Sequence, residues 1–209
     1  MVNKNYTHIQ LIVDRSGSMR PIADDMNNGI TSLLLDQDNY DGKLTVGFSR
    51  FDSTVEHLVR PFAAVADLEN VTFVQPRGVT ALNDAIGETV VVLGEALEML
   101  KETERPAKVI VVIVTDGEEN ASQEYTLDRV KTMIENQQNE FAWEFIFLGA
   151  NIDAFKSGGG YGVPNSHSAN FDYSGAGVGY ITNTVSNLIS RSRSGDGSGF
   201  TEDEQAKTK

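Results

Sequence analysis

The chain has 209 residues, 40% hydrophobic and 22% charged, with a formal net charge of −13 from 30 acidic and 17 basic residues. That balance suits one globular domain with a sizeable core, and its sign argues against a free, sequence-independent nucleic-acid binder, whose phosphate affinity would come from basic residues. The lack of cysteine excludes disulfides, thiolate metal sites and cysteine catalysis, and it is compatible with a cytoplasmic location, which is the one expected. The longest apolar runs, Val90 to Leu93 and Val109 to Val114, are too short to span a bilayer. Residues 1–8 are polar without a signal-peptide core, so no membrane association is expected.

Strands and helices alternate along the chain. An apolar run over residues 7–13 predicts a buried strand, and Ile22, Met26, Ile30, Leu33 and Leu34 recur at helical spacing over residues 20–36, with Pro21 in the first turn. A polar turn over 36–42 leads to two alternating segments, 43–51 and 54–60, expected to form a hairpin around Asp52-Ser53. Residues 61–78 read as a looser stretch with a short helical turn near 63–68. The strongest helix is predicted over 81–101, where Leu82, Ile86, Val90, Leu93, Leu97 and Leu100 form one stripe. The continuous β-branched run over 107–115 is the clearest buried strand. A helix over 126–139, a strand over 142–148, a loop over 155–173 with a short strand near 169–171, and a last helix over 177–191 complete the pattern. Residues 192–209 are sparse in apolar side chains and are expected to be a disordered polar tail. The expectation is therefore one domain over 1–191, an α/β fold in three layers with a mostly parallel central sheet and helices on both faces.

In such folds ligands gather at the carboxyl ends of the strands. The first predicted strand runs into Asp14-Arg15-Ser16-Gly17-Ser18, and the central one runs into Asp116-Gly117. Thr80 lies in the loop just before the strongest helix. Two carboxylates and three neutral hydroxyls make an all-oxygen donor set whose charge balances a hard divalent cation. Each residue alone is equally well suited to capping a helix start, which is the commonest use of Ser, Thr and Asp at such positions; it is their joint placement that points to a metal site.

The arrangement resembles the von Willebrand factor A domain family, whose metal-ion-dependent adhesion site (MIDAS) is written Asp-x-Ser-x-Ser, a distant Thr and a distant Asp. Asp14, Ser16, Ser18, Thr80 and Asp116 match all five, and the resemblance covers residues 7–191. It implies that the serines and, in one state, the threonine touch the cation, that the aspartates often act through water, and that a coordination position stays open for an Asp or Glu of a partner protein. Mg²⁺ is the expected cation, with Mn²⁺ or Ca²⁺ as alternatives. The implied function is a metal-dependent protein-interaction module, not an enzyme, and the short loops resemble small intracellular bacterial or phage-type members. In integrin-type members the metal edge is coupled to the last helix; here Val185, Leu188 and Ile189 would be that helix's packing residues.

Two other functions fit parts of the same pattern. One is a structural or assembly component of a phage or bacterial stress complex on the same fold. The other is a Mg²⁺-dependent phosphohydrolase of haloacid-dehalogenase-like type, which needs a second Asp two residues after the first, where this chain has Ser16. Asp36, Asp38 and Asp41-Gly42 lack the remaining ligands of a calcium loop, and Gly158-Gly159-Gly160 lacks the Lys of a phosphate loop. His8, His57 and His167 are scattered, and Glu118, Glu119 and Glu124 near Asp116 read as solvated acids that add negative field. The sequence carries no signal for oligomeric state.

Overall fold

The computed structural model describes residues 3–68 and 71–207, with side chains from Asn5 onward. Two runs with apolar centres build the middle of the sheet: β1 (Asn3–Asp14) and β4 (Pro106–Thr115) lie side by side in parallel. β2 (Lys43–Phe51) flanks β1, and β3 (Val55–Ala63) returns antiparallel along its outer side, giving the expected hairpin. β5 (Glu144–Ala150) and the short β6 (Ser168–Phe171) extend the sheet beyond β4. The six-strand order is β3-β2-β1-β4-β5-β6. All of Val109–Val114 is buried, as a strand covered on both faces requires.

Helices cover both faces, so the predicted three-layer α/β architecture is what forms. α1 (Ala23–Asp38) and α5 (Gly175–Arg193) pack on one face, where Ile9, Leu11 and Val13 meet Met26, Ile30, Val178 and Val185. α2 (Leu82–Met99) and α3 (Leu127–Phe141) pack on the other, where Ile12 and Ile113 meet Leu82, Ile86, Val90 and Ile134. The period of two along β1 divides its side chains between the two cores. Because β1 is followed on one side by β2 and flanked on the other by β4, the chain reverses its direction of travel across the sheet between β1 and β4. The carboxyl ends of these two strands form the crevice where α/β sheets bind ligands.

Three local expectations are corrected. The predicted helix over 20–36 is split: Gly17–Ile22, with Pro21 inside it, is a 3₁₀ segment, and the α-helix starts at Ala23. The region 155–173 is not all loop before its strand, because α4 (Ala154–Gly160) forms despite three consecutive glycines. Asp153 caps it by accepting from the Lys156 N–H at 3.1 Å, and a Cβ at Gly158 would sit 2.6 Å from Ser168 Oγ, so glycine is what lets this helix approach the sheet. The tail after residue 191 is ordered as far as Lys207. α5 runs to Arg193, Phe200 is buried, and α6 (Glu202–Ala206) is held by a bidentate Arg191–Glu204 pair at 2.9 Å and a capping box at Thr201. Residues 208–209 of that segment, residues 1–2 of the polar N-terminal stretch and residues 69–70 of the looser stretch lie outside the described residues. Within that stretch the expected helical turn is a 3₁₀ segment, Val65–Leu68. No described helix is long and apolar enough to cross a membrane.

Candidate metal centre

Strand register sets the first contact. Val13 pairs with Val114, so Asp14 and Thr115 close neighbouring strands, and the Thr115 hydroxyl donates to Asp14 Oδ2 at 2.7 Å. The other carboxylate oxygen, Oδ1, accepts the Ser16 N–H at 2.6 Å, which folds the chain back at the end of β1. Ser16 Oγ lies 2.9 Å from Ser18 Oγ, and the Ser18 hydroxyl donates to Asp116 Oδ1 at 2.8 Å. Asp14, Ser16, Ser18 and Asp116 are thus joined by one run of hydrogen bonds across two loops. Asp116 Oδ2 is buried with no hydrogen-bond partner among the described residues.

Thr80 reaches the same edge by a different route. Its N–H donates to Asn120 Oδ1 and its carbonyl accepts from the Asn120 N–H, both at 3.0 Å. A Cβ at Gly117 would lie 3.3 Å from Thr80 Oγ1, so the hydroxyl sits against the turn that follows Asp116. Thr80 does not cap α2. The first free N–H groups of that helix are taken by the loop after β4: Asn83 N–H donates to Glu119 Oε2 at 2.8 Å and Asp84 N–H to Ser122 Oγ at 3.0 Å. Glu119 is therefore a cap and not the solvated acid the sequence suggests, and the Thr80 hydroxyl is left free of that task.

Beneath these groups an ionic cluster centred on the buried Arg15–Asp52 pair, with the exposed Arg77 and Glu56 at its rim, locks three loops. Arg15 points away from Ser16 and Ser18, and its guanidinium meets Asp52 at 2.9 Å and Glu56 at 2.7 Å. Arg77 meets the same Asp52 oxygen at 2.6 Å. Burial alone would raise the Asp52 carboxyl; the Arg77 hydrogen bond, the Thr54 N–H and the Arg15 charge outweigh it and hold Asp52 below the usual carboxylate range. Backbone bonds complete the lock, from Arg15 N–H to the Phe51 carbonyl, from Arg77 N–H to the Arg15 carbonyl and from Ala81 N–H to the Asp52 carbonyl, each 2.8 Å. Gly78, at φ +69°, supplies the left-handed turn that lets its carbonyl accept from Gly17 N–H.

Electrostatics set the site apart. Burial raises the Asp14 carboxyl to about 6 and also raises Asp116. Among the described residues neither has an ion-pair partner, since the nearby guanidinium of Arg15 is committed to Asp52 and Glu56. Nor, among the described residues, do three or more His, Cys, Asp or Glu side chains gather anywhere as a metal cluster, so the donor set here is two carboxylates with hydroxyls. Two buried, cation-free carboxylates among hydroxyls, one carboxylate oxygen unpartnered, fit a hard divalent cation by donor chemistry and by charge. Besides Glu119 and Asn120, two neighbours of the carboxylates escaped the sequence reading. Thr115 had no signal beyond its place at the end of an apolar strand. Tyr173, on the loop before α5, donates its hydroxyl to the Ser18 carbonyl, and burial together with Asp116 and Asp14 raises its phenol.

The sequence matches no protein-family profile and no curated protein. The fold matches solved structures. Proximal thread matrix protein 1 from the mussel byssus superposes with a TM-score of 0.66 at 16% identity, over 88% of this chain and 46% of that one, and one of its structures has a zinc-occupied MIDAS motif. The vWF domain of the type V pilus tip protein Mfa5 from Porphyromonas gingivalis matches with a TM-score of 0.63 at 9% identity, over 94% of this chain and 98% of that one. The pilus adhesin SpaC from Lactobacillus rhamnosus GG matches with a TM-score of 0.65 at 14% identity, over 89% and 30%. The chain therefore has a von Willebrand factor A-type fold, and it spans under half the length of the mussel protein.

Proposed function

We propose that the chain is a metal-dependent protein-interaction module in which Asp14, Ser16, Ser18, Thr80 and Asp116 hold a divalent cation, Mg²⁺ by preference, with Mn²⁺ or Ca²⁺ as substitutes. The observation that carries the proposal is the hydrogen-bonded run from Asp14 through Ser16 and Ser18 to Asp116, ending on a buried carboxylate oxygen that has no hydrogen-bond partner among the described residues. When bound, the cation supplies an electrophilic position that a carboxylate of a partner protein fills.

The chain's own residues prepare that position. Thr115 and the Ser16 N–H orient Asp14, Ser18 orients Asp116, and the ionic cluster around Arg15 keeps the loops from collapsing. Neutral hydroxyls in three of five places mean that the two carboxylates only balance a 2+ ion, without the excess negative charge of an all-carboxylate site. No reaction is assigned. Both oxygens of Asp14 already accept hydrogen bonds, and Ser16 stands where a phosphohydrolase needs its second acid. The zinc in the mussel structure supports a divalent occupant without choosing one. A cytoplasmic location rests on the lack of cysteine alone, and the neighbours named above are byssus and pilus proteins.

The test is thermal unfolding of chelator-treated protein. Mg²⁺ or Mn²⁺ at about a hundred times its dissociation constant should stabilise the fold by about 2.7 kcal/mol. Asp14→Ala should show no response, and an unchanged response in that variant refutes the assignment. Capture of a partner should then fail both in EDTA and with Thr80→Ala.

A further inference from the structure

At the end of the sheet opposite the metal edge, the C-termini of α2 and α3 frame an apolar trough. One hollow of about 220 Å³ lies over Leu97, Val109, Phe141 and Trp143, and an adjoining one of about 230 Å³ lies over Val91 and Met133. Gly94, Glu98 and Gln137 line both. The two most exposed large apolar side chains among the described residues lie at this end, Met99 (85%) and Phe141 (66%). A Cβ at Gly94 would meet no atom within 4 Å, so the wall is open there. The strand between this trough and the metal edge, β4, has 10 residues, which puts the two roughly 30 Å apart.

The rim is acidic. α2 carries Asp84, Glu88, Glu95 and Glu98 and no Lys or Arg, and Glu95 and Glu98 are exposed on the trough. Neither helix has a basic residue in its last turn, so the negative ends of both dipoles add to the field. Arg105 is turned back onto the Leu100 and Glu98 carbonyls, at 3.1 and 3.3 Å. An acidic trough opposes its own copy and an anionic membrane alike, and the chain as a whole carries −13.

The geometry points to a second docking surface, independent of the metal, for a cationic amphipathic helix of another protein, with apolar anchors along Gly94 and Lys or Arg beside Glu95 and Glu98. The chain would thereby bridge two partners from opposite ends of its sheet.

Trp143 is the only tryptophan and lines the trough, so its fluorescence reports occupancy in the full chain. In EDTA, a short helical Leu/Lys peptide without aromatic residues should give a saturable change, and a Leu/Glu peptide of the same pattern should give none. Gly94→Leu, which fills the open wall and improves helix propensity, should weaken binding about tenfold without lowering the melting temperature. Glu95→Lys with Glu98→Lys should do the same, while Glu202→Lys with Asp203→Lys on exposed α6, an equal change in net charge, should cost less than about twofold. The proposal is overturned by no Trp143 response, by undiminished binding in Gly94→Leu, by equal weakening in the α6 control, or by self-association or anionic-vesicle binding through this end in place of peptide binding.

Discussion

The two faces of β1 differ in kind. Toward α1 and α5 it presents Ile9, Leu11 and Val13, all in a continuous apolar core. Toward α2 it presents Tyr6, His8, Gln10 and finally Asp14, with Ile12 the one apolar member of that series. The polar side continues through Thr45 and Ser49 of β2 to His57 of β3, whose ring meets Ser49 at 2.9 Å and Glu88 of α2 at 3.0 Å. Here too lie His8 Nε2, Gln10 Oε1 and Thr89 Oγ1, buried without hydrogen-bond partners among the described residues. Unpaired buried polar atoms cost stability, so β1 contributes to the apolar core mainly through its α1/α5 face, while on the α2 face, beside the second apolar core of Leu82, Val90 and Ile113, it carries Asp14 and a buried polar layer. Alternate positions of one strand thus differ in chemistry: an unbroken apolar series on one face, and polar side chains around Ile12 on the other.

The largest effect should come from opening a cavity on the apolar face. Leu11→Ala should cost about 2–5 kcal/mol in urea unfolding, with no change in metal response; a loss under about 1 kcal/mol would break the contrast. The polar face should answer to pH instead. Burial lowers His8 to about 3, so the folded chain refuses a proton that the unfolded chain takes up near 6.5. Stability should fall as pH drops from about 6.5 toward 3, by about 3 kcal/mol at pH 4.5, and His8→Gln should remove that component; identical profiles would overturn the account. The smallest effect has the opposite sign. Asp14 is raised to about 6 by burial, so its charged form disfavours the metal-free fold at neutral pH. Stability from this group is gained as pH falls through about 6. Asp14→Asn should therefore stabilise the metal-free protein at pH 8 by about 2 kcal/mol, somewhat less than the shift implies because an amide loses charge-assisted bonds from Ser16 and Thr115. It should also abolish the response to Mg²⁺. Calorimetry with and without chelator measures both, and a destabilised metal-free Asp14→Asn would show that the carboxylate was placed for stability.

Elements with strong local patterns were legible in the sequence. β4 reads as buried because seven β-branched residues, Val109 to Thr115, run together, and α2 because its stripe spans about five turns. α4 was not legible, since Gly158-Gly159-Gly160 opposes helix formation and only close approach to Ser168 and Phe147 favours glycine there. The segment after residue 191 was hidden for a related reason: Phe200 alone does not announce burial, and the Arg191–Glu204 pair that holds it forms only once α5 and α6 meet. Within the candidate site, the five proposed donors could be named from their match to the family's motif, but Glu119 as the cap of α2, Asn120 as the holder of Thr80, and Thr115 and Tyr173 as neighbours of the carboxylates could not.

By itself the sequence determined the order of strands and helices, through hydrophobic period, and the chemistry of the donors, through the absence of cysteine and the recurrence of Asp, Ser and Thr at strand and helix ends. Only the tertiary structure decided which of those donors share an edge. Parallel pairing sets Asp14 beside Thr115, the Arg15–Asp52–Arg77 cluster draws the loop before α2 onto the end of β1, and Asn120 pins Thr80 beside Asp116. These are contacts between groups far apart in the chain, and no local preference encodes them. Strand pairing and the backbone bonds of Thr80 satisfy main-chain groups, and burying Arg15 at the end of β1 requires Asp52 from the loop after β2.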